Sequence, residues 1–325
     1  MTVASDPCSL SIVIPVYRGA QTIGPLVDSL IETLGEDYRL EIVLVNDCSP
    51  DDSEAMCMQK YETYPDIVRF YSLARNVGEH NAVMAGLNYC SGEWVVIMDD
   101  DFQNPVSEVR KLVDFACGHA FDAVYTWYER KKHSLFRKIG SSINDRLATI
   151  VLKKPKDLYL SSFKAINRRL VRHIITYTAP FPYIDGLILG ATNNIGKIMV
   201  EHHERTLGTS GYTLKKLVSL LLAMFTNFSV LPLRIATGIG FLFALLSFGI
   251  GVEILIERLV NPSLPPGYSL TLFFSTLFAG IQLIAIGMVG EYVGRIFVCM
   301  NRRPQYFIGK SFVKTQGENI DNGKD

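Results

Sequence analysis

Two long apolar runs near the carboxyl end limit what this chain of 325 residues can become. They cover residues 235–256 and 268–290, and Glu253 is the one carboxylate within them. A helix of such a length extends about 33 Å, enough to cross a hydrocarbon core of about 30 Å. Because a pair of core helices that are apolar on every face is rare in a soluble domain, the pattern predicts two transmembrane helices.

The charges that flank these runs predict their orientation. Basic residues cluster on the side of the preceding domain, whereas the short loop between the runs carries only Arg258; the clustered residues are Lys215, Lys216, Arg234, Arg295, Arg302 and Arg303. By the positive-inside rule, both termini face the cytoplasm. The amino terminus carries no pattern of a signal peptide. We therefore predict a multi-pass protein of the cytoplasmic (inner) membrane whose large domain and termini are cytosolic.

Strand-like and helix-like segments alternate before the apolar runs. Five β-branched, apolar segments indicate strands: 10–16, 40–46, 67–73, 94–99 and 121–126. Helical stretches lie between and after them, near 21–34, 52–64, 79–90, 105–118, 134–152 and 166–178, and a further strand is predicted at 197–204. The alternation predicts an α/β domain with a mostly parallel, Rossmann-like sheet. Because ligands of such sheets bind where strands end, Asp47, Arg75 and the residues after the fourth strand should line one crevice.

Three adjacent carboxylates, Asp99, Asp100 and Asp101, follow the fourth predicted strand. Like charges this close repel one another unless a cation or hydrogen-bond donors neutralise them. On an extended backbone Asp99 and Asp101 point to the same side, and Gln103 can follow them. Oxygen ligands of this kind suit Mg²⁺ or Mn²⁺, so we predict a metal site at Asp99, Asp101 and Gln103. A solvated acidic turn is the alternative for so short a pattern.

The net charge of zero conceals a segregation of charge along the chain. Residues 1–129 contain 7 Lys and Arg against 21 Asp and Glu, whereas residues 130–172 contain 13 against 2. A basic block in a membrane-anchored chain indicates phosphate ligands or anionic lipid headgroups. Nucleic acid is the less favoured partner, because an acidic site of the metal type already accounts for phosphate binding.

Two features next to the apolar runs bear on the membrane and on assembly. Residues 213–230 carry apolar side chains at helical spacing, which predicts an amphipathic helix in the membrane interface, with an ordinary core helix as the alternative. Gly290 and Gly294 form a GxxxG pair, which permits close helix contact within the chain or in a homo-oligomer formed through the membrane helices.

Seven segments together carry a resemblance to a known family: SIVIPVY (11–17), VNDCSPD (45–51), ARNVGEHNAVMAGL (74–87), DDDFQNP (99–105), RTLGTSGY (205–212), LPLR (231–234) and GEYVGRIF (290–297), the last followed by RRPQYF (302–307). With two membrane helices in the expected place, the chain resembles family 2 glycosyltransferases of the GT-A fold that move a sugar from a nucleotide onto polyprenyl phosphate. It is similar to the dolichyl-phosphate mannose synthases and, more closely, to bacterial undecaprenyl-phosphate glucosyl and 4-deoxy-4-formamidoarabinose transferases.

The resemblance implies domain limits and roles for single residues. A GT-A domain is expected over 1–212, the interfacial helix over 213–230, the two-helix membrane domain over 231–300 and a cytosolic tail over 301–325. Binding of the nucleotide-sugar is implied for Pro15, Tyr17, Asp47, Arg75, Asp99 and Asp100. Binding of the lipid phosphate or the diphosphate is implied for Arg130, Arg137, Ser141, Arg205, Ser210 and Lys215. Catalytic roles are implied for Asp101 and for Asp157, which matches the residue proposed as the base.

The chain departs from the family pattern where Gly19 replaces the glutamate of a Y-N-E motif and where Lys164 replaces an arginine. The resemblance implies inverting transfer to undecaprenyl phosphate, giving a lipid-linked monosaccharide for modification of cell-envelope glycans. UDP-glucose is the favoured donor, with UDP-4-deoxy-4-formamidoarabinose, a UDP-N-acetylhexosamine or GDP-mannose as alternatives. A processive polysaccharide synthase is less consistent with the sequence, which has no Q-x-x-R-W motif, and a non-enzymatic membrane scaffold is the least favoured reading.

Overall fold

The computed structural model describes residues 8–128, 149, 154–155, 157–201, 203, 231–260, 268–301 and 303–314. Eight strands occur there: β1 Ser9–Val16, β2 Arg39–Asn46, β3 Val68–Leu73, β4 Trp94–Ile97, β5 Ala123–Trp127, β6 Lys164–Asn167, β7 Ile195–Met199 and β8 Ile308–Phe312. The helices are α1 Ile23–Leu34, α2 Ser53–Thr63, α3 Glu79–Tyr89, α4 Val106–Gly118, α5 Arg168–Ile174, α6 Ile184–Ala191, α7 Leu231–Val260 and α8 Tyr268–Met300.

All eight strands join one sheet in the order β7-β5-β6-β4-β1-β2-β3-β8. Strands β1 to β4 pair in parallel with one another, and β5 pairs in parallel with β7. Strand β6 runs antiparallel between β4 and β5, and β8 runs antiparallel to β3. The prediction of an α/β domain with a mostly parallel sheet is thus confirmed, and the first five strands lie within two residues of their predicted bounds.

Helices cover both faces of the sheet, which explains why its central strands are apolar at nearly every position. Along β1 the side chains alternate, with Ile12 and Ile14 in the core beneath α1 and α4 and Val13 in the core beneath α3. On α1 the residues Ile23, Leu26, Val27, Leu30 and Leu34 are fully buried, at the spacing of one helix face. Burial of each such side chain stabilises the fold by about 1.5–3 kcal/mol.

The helix predicted at 166–178 is wrong at its start, because β6 occupies Lys164–Asn167 and α5 begins only at Arg168. The Asn167 side chain caps that helix by accepting a hydrogen bond from the Leu170 N–H at 2.8 Å. The strand predicted at 197–204 begins and ends earlier, at Ile195–Met199. The helices predicted over 134–152 and 213–230 lie outside the described residues, except for position 149.

Part of the segment expected as a tail forms β8 and completes the sheet edge beside β3. The Phe312 ring stacks on Phe70 at a centroid distance of 5.5 Å, and Lys310 forms an ion pair with Glu54 at 2.5 Å. Just before β8, the Gln305 amide donates to the carbonyl oxygens of Tyr177 and Ala179 at 2.7 and 2.8 Å. The carboxyl-terminal segment is therefore an integral part of the α/β domain.

The chain divides into two compact units, Met1–Ile143 with Lys153–Gly211 and Arg303–Asp325, and Asn144–Leu152 with Tyr212–Arg302. The second unit contains α7 and α8, of 30 and 33 residues. Within the described residues one helical segment, Leu277–Met300, is long and apolar enough to cross a membrane, and a shorter apolar segment covers Ala236–Ile250 in α7. Two transmembrane helices therefore remain a prediction.

Gly86 sets how closely α3 packs on the sheet, which yields a stability prediction. A Cβ atom at this position overlaps Cγ1 of Val13 and lies 3.4 Å from Cγ2 of Val45. Gly86→Ala should therefore lower the free energy of unfolding by about 1–3 kcal/mol. Urea denaturation of the detergent-solubilised chain, followed by circular dichroism, measures the change.

Gly118→Ala is the matched control, because it lies at the end of α4 and its added Cβ meets no atom within 4 Å. Without a clash, alanine should leave stability unchanged or raise it by about 0.4–1 kcal/mol. Equal effects of the two substitutions would contradict the packing explanation.

Candidate functional site

The site begins at Asp47, directly after β2, whose side chain is only 3% exposed. Its two carboxylate oxygens accept hydrogen bonds from the backbone N–H groups of Val77 and Gly78, at 2.7 and 2.9 Å. Gly78 has φ +89°, a conformation that favours glycine, and it caps α3. Burial raises the pKa of Asp47, and the two hydrogen bonds oppose that rise. Asp47 thus fixes the loop that carries Arg75.

The loops after β1 and β2 are tied to each other by hydrogen bonds. The Arg18 N–H donates to Oγ of Ser49 at 2.8 Å, and the Gly19 N–H donates to Oγ of Ser53 at 2.9 Å. Pro15 is partly buried within β1, whereas Tyr17 is 47% exposed. The Tyr17 ring is therefore available to stack on a planar ligand at this edge of the sheet.

Backbone strain concentrates at this edge. Among the described residues, the non-glycine positions with positive φ are Arg18, Cys48 and Phe102, at 60°, 49° and 57°. They follow β1, β2 and β4, in the loops that carry the predicted site. Such conformations cost of order 1–3 kcal/mol each and tend to persist at ligand sites.

Asp99 and Asp101 lie together after β4. Oδ2 of Asp99 accepts a hydrogen bond from the Ser162 hydroxyl at 2.7 Å, and Oδ1 of Asp101 accepts from the Gln103 N–H at 3.1 Å. Burial raises the pKa of Asp99 to about 6, and the negative charges of Glu79 and Asp101 add to the rise. A cation between these carboxylates would relieve their repulsion.

Asp100 points to the opposite side of the strand, as the alternation of an extended chain predicts. A Cβ atom on Gly19 would overlap the Asp100 carboxylate, with its Cγ only 2.9 Å away. The Asp100 carboxylate thus occupies the space that a side chain at position 19 would need. Asp100 faces the loop after β1, whereas Asp99 and Asp101 lie near Glu79 at the start of α3.

A buried ion pair beneath the acidic residues was not identified from the sequence. Lys164 on β6 and Asp185 on α6 form it, and they are 3% and 7% exposed. The Tyr125 hydroxyl donates to Asp185 at 2.8 Å, and the Lys164 ammonium lies 5.0 Å from the centre of the Tyr125 ring. The positive charge of Lys164 opposes the rise in the pKa of Asp99. Loss of one partner of such a pair costs about 3–5 kcal/mol.

Two further residues at the start of α3 belong to this surrounding. The atoms packed around the Glu79 carboxylate desolvate it and raise its pKa, although the residue as a whole is exposed. The positive charge of Lys164 opposes this rise in pKa, and the negative charges of Asp185 and Asp101 add to it. The His80 ring meets Tyr183 edge-on at 5.1 Å, and desolvation lowers the pKa of His80. Both lie at the start of the helix predicted near 79–90, within the motif ARNVGEHNAVMAGL.

Asp157 lies at the surface and forms an ion pair, unlike a buried catalytic base. Its side chain is 72% exposed and forms an ion pair with Lys197 on β7. The hydrogen bond from Lys197 is the main cause of its lowered pKa. Its role as a base stays a prediction. Six further predicted site residues lie outside the described residues: Arg130, Arg137, Ser141, Arg205, Ser210 and Lys215.

The protein groups at this site supply some, but not all, of the ligands that a hard divalent cation needs. Carboxylate oxygens of Asp99 and Asp101 and the amide oxygen of Gln103 are the ligand types that Mg²⁺ and Mn²⁺ prefer. Within the described ranges, no three His, Cys, Asp or Glu side chains are arranged as a complete metal centre. A cation here would take its other ligands from substrate phosphates or water, as Mg²⁺ commonly does.

Residues 11–175 match the family described as Glycosyl transferase family 2. The undecaprenyl-phosphate 4-deoxy-4-formamido-L-arabinose transferase of Klebsiella pneumoniae (strain 342) is 32% identical over 304 residues, 92% of each chain. The protein of the same name from Yersinia enterocolitica is 33% identical over 315 residues, 95% of each chain.

A solved structure shares the fold. The glucosyl-3-phosphoglycerate synthase of Mycobacterium tuberculosis, in complex with Mn²⁺, uridine diphosphate and glucosyl-3-phosphoglycerate, superposes with a TM-score of 0.51 at 18% identity. The match covers 67% of this chain and 78% of that one. The GT-A-like α/β architecture and the resemblance stated from the motifs are both confirmed: the chain belongs to glycosyltransferase family 2.

Proposed function

We propose that this enzyme transfers a sugar from a UDP-sugar to undecaprenyl phosphate, with inversion at the anomeric carbon. The observation that carries the proposal is the similarity to transferases of that name over 92% of both chains. The paired carboxylates of Asp99 and Asp101 at the carboxyl edge of the sheet support it, because nucleotide-sugar donors bind at such edges through a divalent cation.

On the donor side, we assign the base and ribose to Pro15, Tyr17, Asp47 and Arg75. Because two backbone N–H groups hold the Asp47 carboxylate, Asp47 can shape the pocket without large movement. Asp99, Asp101 and Gln103 would hold Mg²⁺ or Mn²⁺ near the diphosphate. The cation would neutralise the negative charge that develops on the leaving diphosphate.

On the acceptor side, we assign the lipid phosphate to Arg130, Arg137 and Ser141, and the diphosphate to Arg205 with Ser210 and Lys215. The His203 N–H donates to the Gln103 carbonyl at 2.9 Å, so the chain reaches the acidic loop two residues before Arg205. The acceptor is a phosphate monoester that is already largely anionic near neutral pH. Little deprotonation of the acceptor is therefore needed. Because the hydrogen bond from Lys197 lowers the pKa of Asp157, this residue suits an orienting role at least as well as that of a base.

Holding two anionic substrates in line is the main task of this site. The basic residues between 130 and 172 would offset the repulsion between the substrates, and attack by a phosphate oxygen expels the nucleoside diphosphate. Two membrane helices, α7 and α8, would keep the enzyme in the inner membrane with the α/β domain in the cytosol. The product would be a lipid-linked monosaccharide for modification of the cell envelope.

The donor is the first property to test. The relatives' name favours UDP-4-deoxy-4-formamido-L-arabinose over UDP-glucose, which is the favoured donor from the sequence alone. The purified enzyme, incubated with undecaprenyl phosphate and each donor in turn, should give a lipid product whose mass fits the formamido-pentose. UDP-glucose, a UDP-N-acetylhexosamine and GDP-mannose complete the screen. A product formed only with UDP-glucose would restore that donor, and no product with any donor would refute the transfer reaction.

Asp101→Asn tests the metal and diphosphate assignment. The substitution keeps the shape of the side chain but removes its charge, so transfer should fall by about 100-fold or more. Isothermal titration should show the same loss in Mn²⁺-dependent binding of the nucleotide.

Asp66→Asn is the matched control, because Asp66 is 73% exposed and pairs with Lys314 before β3. It should leave both measurements unchanged. Arg137→Ala gives a contrast, since it should raise the KM for undecaprenyl phosphate and preserve the metal dependence of nucleotide binding. Near-normal turnover by Asp101→Asn would remove Asp101 from the site.

The raised pKa of Asp99 predicts how metal binding depends on pH. The carboxyl group must lose its proton before it can bind a cation, and its pKa is about 6. The affinity for Mn²⁺ should thus be constant above that value and fall by up to about tenfold per unit as the pH drops below it. Titrations between pH 5 and 7.5 measure this, and Asp99→Asn should bind more weakly with a flatter profile. A flat profile in the unaltered enzyme would exclude Asp99 as a ligand.

A further inference from the structure

Four large side chains lie at the carboxyl end of β5, and we call them the β5 rim: Trp127, Tyr159 and Met199, which are exposed, and Tyr128, which is half-buried. Trp127 and Met199 are paired residues of neighbouring strands, and they are 42% and 49% exposed. The Tyr128 and Tyr159 hydroxyls lie 2.8 Å apart, with ring centroids at 5.3 Å. Tyr159 is 36% exposed. Single exposed apolar residues are common, but a group of this size and kind indicates an interaction surface.

The chemistry of the β5 rim matches a bilayer interface. Trp and Tyr rings have an apolar body and a polar tip, and membrane proteins concentrate them at the level of the headgroups. The sequence that follows the rim, residues 129–138, contains five cations (Arg130, Lys131, Lys132, Arg137 and Lys138) against one carboxylate, Glu129. Such a segment is attracted to anionic lipids. Aromatic side chains with adjoining cations are the combination that anchors a domain to an anionic membrane surface.

The rim also lies at the edge of the sheet that carries the catalytic carboxylates. Strands β4 and β5 both run antiparallel to β6, so they are parallel to each other. Lys164 on β6 pairs with Ile97 on one side and with Tyr125 on the other, which sets the ends of the two strands at one level. Trp127 comes two residues after Tyr125, and Asp99 comes two residues after Ile97.

We propose that the β5 rim sits in the headgroup region of the bilayer and holds the mouth of the active site against the membrane surface. This goes beyond the proposed reaction and rests on the proposed anchoring in a bilayer. Membrane seating of the rim would present the site to an acceptor whose phosphate lies at the same depth. The partner of the β5 rim is thus the phospholipid surface. The acyl chain of the acceptor and a second copy of this chain are the alternative partners, and the test below separates them.

The chain contains two tryptophans, which makes the test direct. Trp94 begins β4 and lies about 16 Å from Trp127 along the strand direction, five residue steps at about 3.3 Å each. Trp94→Phe leaves Trp127 as the sole tryptophan, and Trp127→Phe leaves Trp94 as the matched control. The full chain is reconstituted in vesicles of phosphatidylethanolamine and phosphatidylglycerol, with and without nitroxide-labelled headgroups. Cosedimentation with vesicles tests anchoring separately.

Nitroxide lipids should quench Trp127 strongly and Trp94 little, without any nucleotide or acceptor. Vesicles without phosphatidylglycerol should give weaker quenching of Trp127. If Trp94→Phe folds poorly, the quenching of Trp127 can be obtained instead from the difference in emission between the unaltered chain and Trp127→Phe. Equal quenching of both tryptophans, or none of Trp127 in a chain that sediments with vesicles, would overturn the proposal. Quenching that appears only with added polyprenyl phosphate, or only as the protein concentration rises, would assign the rim to the acceptor or to a second copy.

Because the assay needs no turnover, its outcome is independent of whether sugar transfer is detected.

Discussion

Repulsion between carboxylates at the carboxyl edge of the sheet is the constraint around which the site is organised. Asp99 and Asp101 share one side of the chain, with Glu79 close enough to raise the pKa of Asp99. Without compensation, this concentration of negative charge would destabilise the folded chain. Two fixed groups supply part of the compensation: the Ser162 hydroxyl on Asp99 and the buried ammonium of Lys164. The remainder is suited to a divalent cation that arrives with the substrate.

The compensation depends on long-range packing. Lys164 stays buried because Asp185 and Tyr125 hold it, and those two residues come from α6 and β5. Strand β6 delivers Lys164 to this place because it runs antiparallel between β4 and β5. The antiparallel strand β6 thus places the Lys164 ammonium next to the acidic residues that follow β4.

The loop after β3 and the far edge of the sheet are also connected by long-range contacts. Asp47 fixes the loop after β3 through two backbone hydrogen bonds, and the Ala74 N–H in that loop donates to the Phe307 carbonyl at 2.9 Å. Residue 307 belongs to the segment that returns after α8 and forms β8. The loop that carries Arg75 is therefore held on one side by Asp47, directly after β2, and on the other by the carboxyl-terminal segment.

Local pattern in the sequence determined the first five strands, the first four helices and the positions of Asp47 and the Asp99–Asp101 pair, because alternation and strand ends depend on neighbours in the chain. The motifs also identified the family. The tertiary structure alone decided that Lys164 meets Asp185, that Asp157 pairs with Lys197 and that residues 308–312 close the sheet. Those partners are 21 to more than 200 residues apart, and no local pattern records them, since they meet only when the strand order and the folding of the core bring them together.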